Sequence, residues 1–198
     1  MRTVIVIGGG ASGMAAACRA AEDCRVILLE KNEKLGKKVY ISGKGRCNLT
    51  NDRDMDDHRK NVVSNSKFLY SAYHAFNKDD IKSFLTKNGC PVKTERGMRV
   101  FPVSDHASDV TKAFSKALKD RDVEIRLNTE VRSLILENGS FRGVITSSGT
   151  VEGDACIICT GGLSYPSTGS TGDGYRFAES AGHKTVPCSP ALVPLTVK

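Results

Sequence analysis

Three stretches of this 198-residue chain combine residue types and spacings suited to holding a phosphate-bearing ligand. The first is the G-G-G-A-S-G run from Gly8 to Gly13, followed after a second apolar run by Glu30. Gly8 permits a tight turn, Gly10 lets the backbone approach a pyrophosphate, and Gly13 lets a helix pack closely on a strand. Ala11 and Ser12 fall where the first N–H groups of a helix, and the positive end of its dipole, meet an anion. Glu30 is placed to accept hydrogen bonds from ribose hydroxyls, and its charge disfavours a 2′-phosphate, so NADP is not expected in this site.

The second stretch runs from Lys34 to Asn51 and contains Gly36, Lys37, Lys38, Ser42, Gly43, Arg46, Cys47 and Asn48. Its glycines allow close backbone approach, and Lys37, Lys38 and Arg46 are able to neutralise phosphate or a negatively charged reduced flavin. A solvated loop would carry the same residue types, so the stretch alone does not decide. The third begins at Ala155 to Cys159 and runs through Thr160, Gly161 and Gly162 to Gly174. A strand that ends in T-G-G can pass close under a bound dinucleotide. Asp173 reads equally well as a helix cap.

The elements that must position these residues are legible from periodicity. Thr3 to Ile7 and Arg25 to Leu29 read as buried parallel strands, with the Ala-rich helix Ser12 to Glu22 between them, which makes a βαβ unit. Lys31 to Asn51 reads as a loop with room for one helical turn. Asn65 to Phe76 and Lys78 to Asn88 read as helices, the second capped by Asn77. Val92 to Val103 reads as a hairpin around Glu95, Arg96 and Gly97, and Ser108 to Lys119 as an amphipathic helix. Strands are expected at Glu124 to Leu127, Val131 to Glu137, Phe141 to Ser147 and Ala155 to Cys159, with a tight turn at Asn138 and Gly139. A helix is expected from Asp173 to Ala181, then an extended tail with Pro187, Pro190 and Pro194.

Composition narrows the class. Hydrophobic residues make up 39% and charged residues 26%, ordinary for a soluble globular protein. No apolar run exceeds strand length and the N-terminus lacks signal-peptide character, so no membrane span and a cytoplasmic location are expected. The net charge of +7 suits dinucleotide phosphates, acidic substrates or nucleic acid. The cations are scattered, Trp is absent and no basic run is interleaved with aromatics, so a nucleic-acid partner is not expected. The 7 cysteines, an odd count, point to reduced thiols, and Cys156 and Cys159 lie on a strand where side chains three apart face opposite ways. No metal site is expected.

Taken together, Gly8 to Gly13, the S-G-K-G-R-C-N-L-T-N string from Ser42 to Asn51, Arg99 to Pro102, Thr160 to Gly174, Gly182 with His183, and Pro190 to Pro194 resemble the BaiN/aminoacetone-oxidase-like family of FAD-dependent oxidoreductases. The resemblance implies FAD as cofactor and an α/β fold: a Rossmann-like FAD-binding domain over 1–198 with a parallel sheet, a β-meander and a small helical and hairpin insertion at about 52–107. It implies that Glu30 holds the adenosine ribose, with Lys31 beside it also binding the cofactor, and that Ser12 and its neighbours hold the pyrophosphate. Ser42, Gly43, Arg46, Cys47 and Asn48 would lie on the flavin side, with Lys37 and Lys38 nearby. Val131 would meet adenine through its backbone, and Thr160 and Gly161 would approach the cofactor closely. Cys159 stands where the family usually has Ala.

The resemblance further implies two-electron or hydride transfer to a small organic substrate, with NAD(P)H a candidate external reductant. It also implies a β-rich domain and a returning flavin-contacting segment beyond Lys198, so the chain is expected to hold mainly the adenosine half of a longer protein's site. No catalytic residue is assigned. His106 and His183 are candidates by type, and Cys47 reads as flavin-side or as packing. Two alternatives stand beside this: an RNA-modifying flavoprotein, and a fragment that binds only the ADP part of FAD.

Overall fold

The computed structural model of the chain describes residues 1–189. Strand β1, Thr3–Ile7, is a β-branched run whose last four residues are buried. It ends at Gly8, whose φ of +104° an L side chain rarely adopts. Helix α1, Ala11–Ala20, starts one residue before the expected segment and ends two residues before its end, and buries Gly13, Met14, Ala17 and Cys18. Strand β2, Arg25–Leu29, then returns parallel to β1.

The segment after β2 is more ordered than the expected loop. It holds helix α2, Lys37–Ile41, a 3-10 turn at Ser42–Gly45 and the short strand β3, Thr50–Asn51. Five residues are too few to show a helical period, and α2 opens on Gly36 at φ +67° instead of a capping side chain. Helix α3, Met55–Lys60, was also unforeseen, although Asp54 caps it by accepting from the Asp57 amide. The helix expected over Asn65 to Phe76 is divided. Asn65 is left-handed, Ser66–Leu69 is a 3-10 turn, and only Tyr70–Ala75 forms helix α4.

Helix α5, Lys78–Lys87, starts after Asn77 as expected, through a capping box with Asp80. Strands β4, Val92–Glu95, and β5, Arg99–Pro102, form the expected hairpin, and β3 pairs with the other side of β5. Helix α6, Ala107–Lys119, buries Val110, Ala113, Phe114, Ala117 and Leu118 along one face. Strand β6, Glu124–Arg126, lies parallel to β2. Strands β7, Val131–Glu137, β8, Ser140–Thr146, and β9, Gly149–Glu152, make an antiparallel meander. Asn138 and Gly139 both take positive φ in its first turn. The strand β9 was missed because only Val151 of its four residues is buried. Strand β10, Ala155–Ile158, then pairs parallel with β1, and helix α7, Asp173–Ser180, follows.

The parallel sheet has the order β10-β1-β2-β6. Alternation along its strands sends Val4, Val6, Val26 and Leu28 toward the helices, into a cluster with Met14, Val110, Phe114 and Leu118. Ile5, Ile7, Ile27 and Leu29 face the meander and pack with Val131, Val144, Val151 and Phe177. Each such side chain contributes about 1.5–3 kcal/mol when fully buried, so covering both faces stabilises the sheet strongly. The result is an α/β fold of helices, parallel sheet and meander in layers. All seven cysteines are free, and Cys159 lies one residue beyond β10. Among the described residues no helix is long and apolar enough to cross a membrane. The expected extended tail carries no helix or strand from His183 to Ser189, and its part with Pro190 and Pro194 lies outside the described residues.

Candidate dinucleotide-binding site

A cavity of about 510 Å³ opens where β1, β2 and β10 end, the switch point at which open α/β sheets bind ligands. Backbone contact builds its floor. A Cβ on Gly13 would lie 1.8 Å from the Gly8 carbonyl oxygen, and one on Gly8 would lie 2.5 Å from the Cys159 carbonyl oxygen. Gly10 differs: a Cβ there would meet nothing within 4 Å, because the residue borders the cavity. The first bond of α1 runs from the Met14 N–H to the Gly10 carbonyl at 2.9 Å. No side chain caps the helix and no acidic residue stands in its first turn. The N–H groups of Ala11, Ser12 and Gly13 therefore lie at the positive end of the helix without intrahelical acceptors.

Glu30, at 7% exposure, closes the next wall. Its Oε2 accepts from the Gly9 amide at 2.7 Å, and its Oε1 accepts from the Asn32 amide at 2.8 Å and the Asn32 Nδ2 at 2.6 Å. The carboxylate keeps further lone pairs for a ligand. Past it, Thr129, Glu130 and Val131 line the cavity beside Phe177.

The lysines expected near phosphate are held by protein groups. Lys31 Nζ donates to Thr171 Oγ1 at 2.8 Å and to Asp173 Oδ2 at 2.9 Å. Lys38 Nζ donates to the Ser164 carbonyl and to Ser170 Oγ, both at 2.7 Å. Lys37 Nζ reaches Asn32 and Glu33 at 3.3 Å. Two cations thus fasten the 164–173 segment across the cavity, where Thr168, Gly169 and Ser170 line it. Asp173 is the first residue of α7, whose cap is Gly172, so it does not cap the helix. Burial opposes its charge, but Lys31 and Thr171 outweigh that and hold its carboxyl below the usual range.

Ser42, Cys47 and Asn48 line the cavity, as do Gly8, Gly10, Ala11, Ser12, Glu30, Lys31, Lys37, Lys38, Val131, Thr160 and Gly161. Gly13 packs behind that lining, whereas Gly43, expected on the flavin side, is exposed, does not line the cavity and packs against Asn48 and Phe101. Arg46 departs from its expected place on the flavin side. It does not line the cavity, and its guanidinium is engaged by Glu95 and Asp105. Burial pushes the Cys47 thiol up, with Ser42 offsetting this in part, and Cys159 is likewise raised by burial beside Ser12. Both are neutral thiols, unsuited to nucleophilic work near neutral pH.

Thr160 Oγ1 is a buried side-chain oxygen with no hydrogen-bond partner among the described residues, and its residue borders the cavity. Buried hydroxyls rarely stay unpaired, so a ligand acceptor or donor fits there. Sequence reasoning missed Asn32, Thr129, Glu130 and Phe177, and an apolar end formed by Ala15, Val39, Leu49, Ile81, Val110 and Phe114. The spacing of Val110 and Phe114 signalled only a buried helix face. His106 precedes α6 and His183 follows α7, and neither lines the cavity.

The family described as "HI0933-like protein Rossmann domain" matches residues 2–191. The chain is 37% identical over 202 aligned residues to a 3-dehydro-bile acid delta(4,6)-reductase of Clostridium scindens, covering 100% of this chain and 48% of that protein. It is 31% identical to a ribosomal RNA dihydrouridine synthase of Escherichia coli, covering 98% of this chain and 48% of that protein. The chain therefore spans about half the length of these curated relatives. The fold is shared with the Sdh1 complex of Mycobacterium smegmatis in the apo form, at a TM-score of 0.66 and 23% identity over 91% of this chain and 38% of that one.

Proposed function

Because the chain belongs to the HI0933-like Rossmann-domain family, we propose that it binds FAD along this cavity and serves an FAD-dependent oxidoreductase acting on a small organic substrate. What supports FAD is the continuity of one cavity from the open amides of α1, past Gly10, to the Glu30 carboxylate and Thr160. The amides of Ala11 and Ser12 take the pyrophosphate, Glu30 the adenosine ribose, and Thr129 to Val131 with Phe177 the adenine side. Thr160 contributes its unpaired hydroxyl, while Ser42, Cys47 and Asn48 border the flavin end. Bound FAD supplies two-electron transfer, and the protein supplies binding, orientation and exclusion of water. NAD(P)H is the reductant we propose for it. Seven free thiols support a reducing compartment such as the cytoplasm.

One observation favours a second substrate class. The relative at 31% identity is named for a reaction on ribosomal RNA, and a net charge of +7 is compatible with a polyanion. Salt-dependent retention of ribosomal RNA by the purified chain would favour that class.

The test is the visible spectrum of purified chain, with the flavin identified after release and the chain titrated with FAD and with ADP. Stoichiometric FAD and a red- or blue-shifted flavin band are expected. A colourless chain that takes up no added FAD overturns the proposal. Equal affinity for ADP and FAD would leave only the adenosine half of the site with this chain.

A further inference from the structure

The loop from Ser42 to Asn48 reaches the cavity in a costly conformation. Gly43, Lys44, Gly45 and Cys47 all take positive φ, at 55°, 58°, 84° and 60°. For Lys44 and Cys47 this region is unfavourable, so the surrounding structure must impose it. The loop also folds tightly on itself and on Phe101: a Cβ on Gly43 would stand 2.7 Å from the Asn48 nitrogen and 3.3 Å from the Phe101 ring. Ser42, Cys47 and Asn48, carried by this loop, border the cavity.

Arg46 sits in the middle of the loop and points its cation at the hairpin. Its Nη2 donates to Glu95 Oε1 and to Asp105 Oδ1, both at 2.5 Å, and its Nε donates to Asp105 Oδ1 at 2.9 Å. The guanidinium lies 4.1 Å from the centre of the Phe101 ring, which is 3% exposed. Lys93 bridges the same two carboxylates, at 2.8 Å to Asp105 and 3.4 Å to Glu95. Two cations and two carboxylates thus balance. The planar fork and the ring platform suit Arg and are not reproduced by a point-charge ammonium.

We infer that Arg46 is a positioning residue: its clamp to Glu95, Asp105 and Phe101 imposes the left-handed loop that presents Ser42, Cys47 and Asn48 to the cavity. The β4–β5 hairpin is thereby coupled to a ligand it does not touch. The consequence for ligand binding rests on the FAD proposal, whereas the consequence for the loop does not.

The experiment compares the full chain with Arg46→Met and Arg46→Lys. Without cofactor, cleavage after Lys44 by a lysine-specific protease is followed by mass spectrometry. Arg46→Met should raise that rate roughly tenfold or more, since hydrogen bonds to charged groups are lost, and Arg46→Lys should restore only part of the protection. In FAD titrations, Arg46→Met should bind more weakly and shift the flavin band toward that of free FAD. Unchanged Lys44 cleavage in a folded Arg46→Met chain overturns the clamp, as does full rescue by Arg46→Lys. If Arg46→Met does not fold, Glu95→Gln carries the same comparison, and unchanged cleavage there overturns the clamp. Wild-type chain that takes up no FAD overturns the cofactor proposal, while Arg46-dependent protection at Lys44 still supports the clamp.

Discussion

Glu30 Oε2 accepts a 2.7 Å hydrogen bond from the Gly9 amide, which joins the end of β2 to the loop that leaves β1. The carboxylate proposed to hold ribose is therefore also a structural tie. Replacing Glu30 with Ala leaves the Gly9 and Asn32 amides without their acceptors, at about 1–3 kcal/mol of stability. FAD affinity should fall roughly tenfold to a hundredfold on the same grounds. Thermal denaturation and FAD titration read the two effects separately, and unchanged affinity would remove Glu30 from the site.

Gly10 and Gly13 separate binding from folding. Ala at Gly13 drives a methyl to 1.8 Å from the Gly8 carbonyl oxygen, so the chain must shift, at about 1–3 kcal/mol or more. Ala at Gly10 meets nothing within 4 Å, and its φ of −76° suits any residue. Gly10→Ala should therefore melt like the wild type yet bind FAD more weakly, because its methyl projects where a pyrophosphate would approach. A melting temperature lowered as much as that of Gly13→Ala would contradict the open geometry.

Thr160→Val replaces a buried, unpaired hydroxyl by a methyl of similar size. Without cofactor the substitution should leave stability unchanged or raise it by about 1 kcal/mol, the scale of an unsatisfied buried polar group. With FAD the order should reverse, the variant gaining less from the ligand than the wild type does. Equal ligand stabilisation of both chains would show that the hydroxyl serves no ligand.

Asp52 fastens β3 to α5 and β4. It accepts from Lys82 at 2.5 Å, Thr94 at 2.7 Å and Lys78 at 3.3 Å, and these bonds, that of Lys82 first, hold its carboxyl at about 2, down from 3.8. A carboxylate with a depressed folded value contributes stability above its ordinary value and loses it as pH falls through the folded one. Asp52→Asn should cost about 1 kcal/mol at neutral pH, the upper range for partly exposed pairs. The gap between variant and wild type in urea denaturation should close as pH drops from 3.8 toward about 2. A gap independent of pH would assign the loss to packing.

Local chemistry made much of the fold legible. Asn77 announced α5, Asn138 and Gly139 the turn between β7 and β8, and the unbroken apolar run of Val4 to Ile7 a strand buried on both sides. The short elements α3 and β9 escaped, and α2 was foreseen only as a single unplaced turn, because four to six residues hold too little periodicity to rise above a loop. At the site, the glycines and Glu30 were readable because each answers a steric or hydrogen-bonding demand of the βαβ turn. Phe177 and Thr129 were not, since an apolar helix position and a loop threonine carry no mark of the cavity they border.

By itself the sequence determined the βαβ unit, its glycine-rich turn and the acidic residue that follows, because these depend on backbone freedom and side-chain types within some thirty neighbouring positions. Only the tertiary structure decided what the cations touch. Lys31 meets Asp173, Lys38 meets Ser170, and Arg46 meets Glu95 and Asp105. A cation's neighbours in sequence announce its charge, whereas its partner is chosen by packing that brings distant strands and loops together. Arg46 shows the difference: the string that surrounds it pointed to the flavin end, and the fold turned its guanidinium to the hairpin behind.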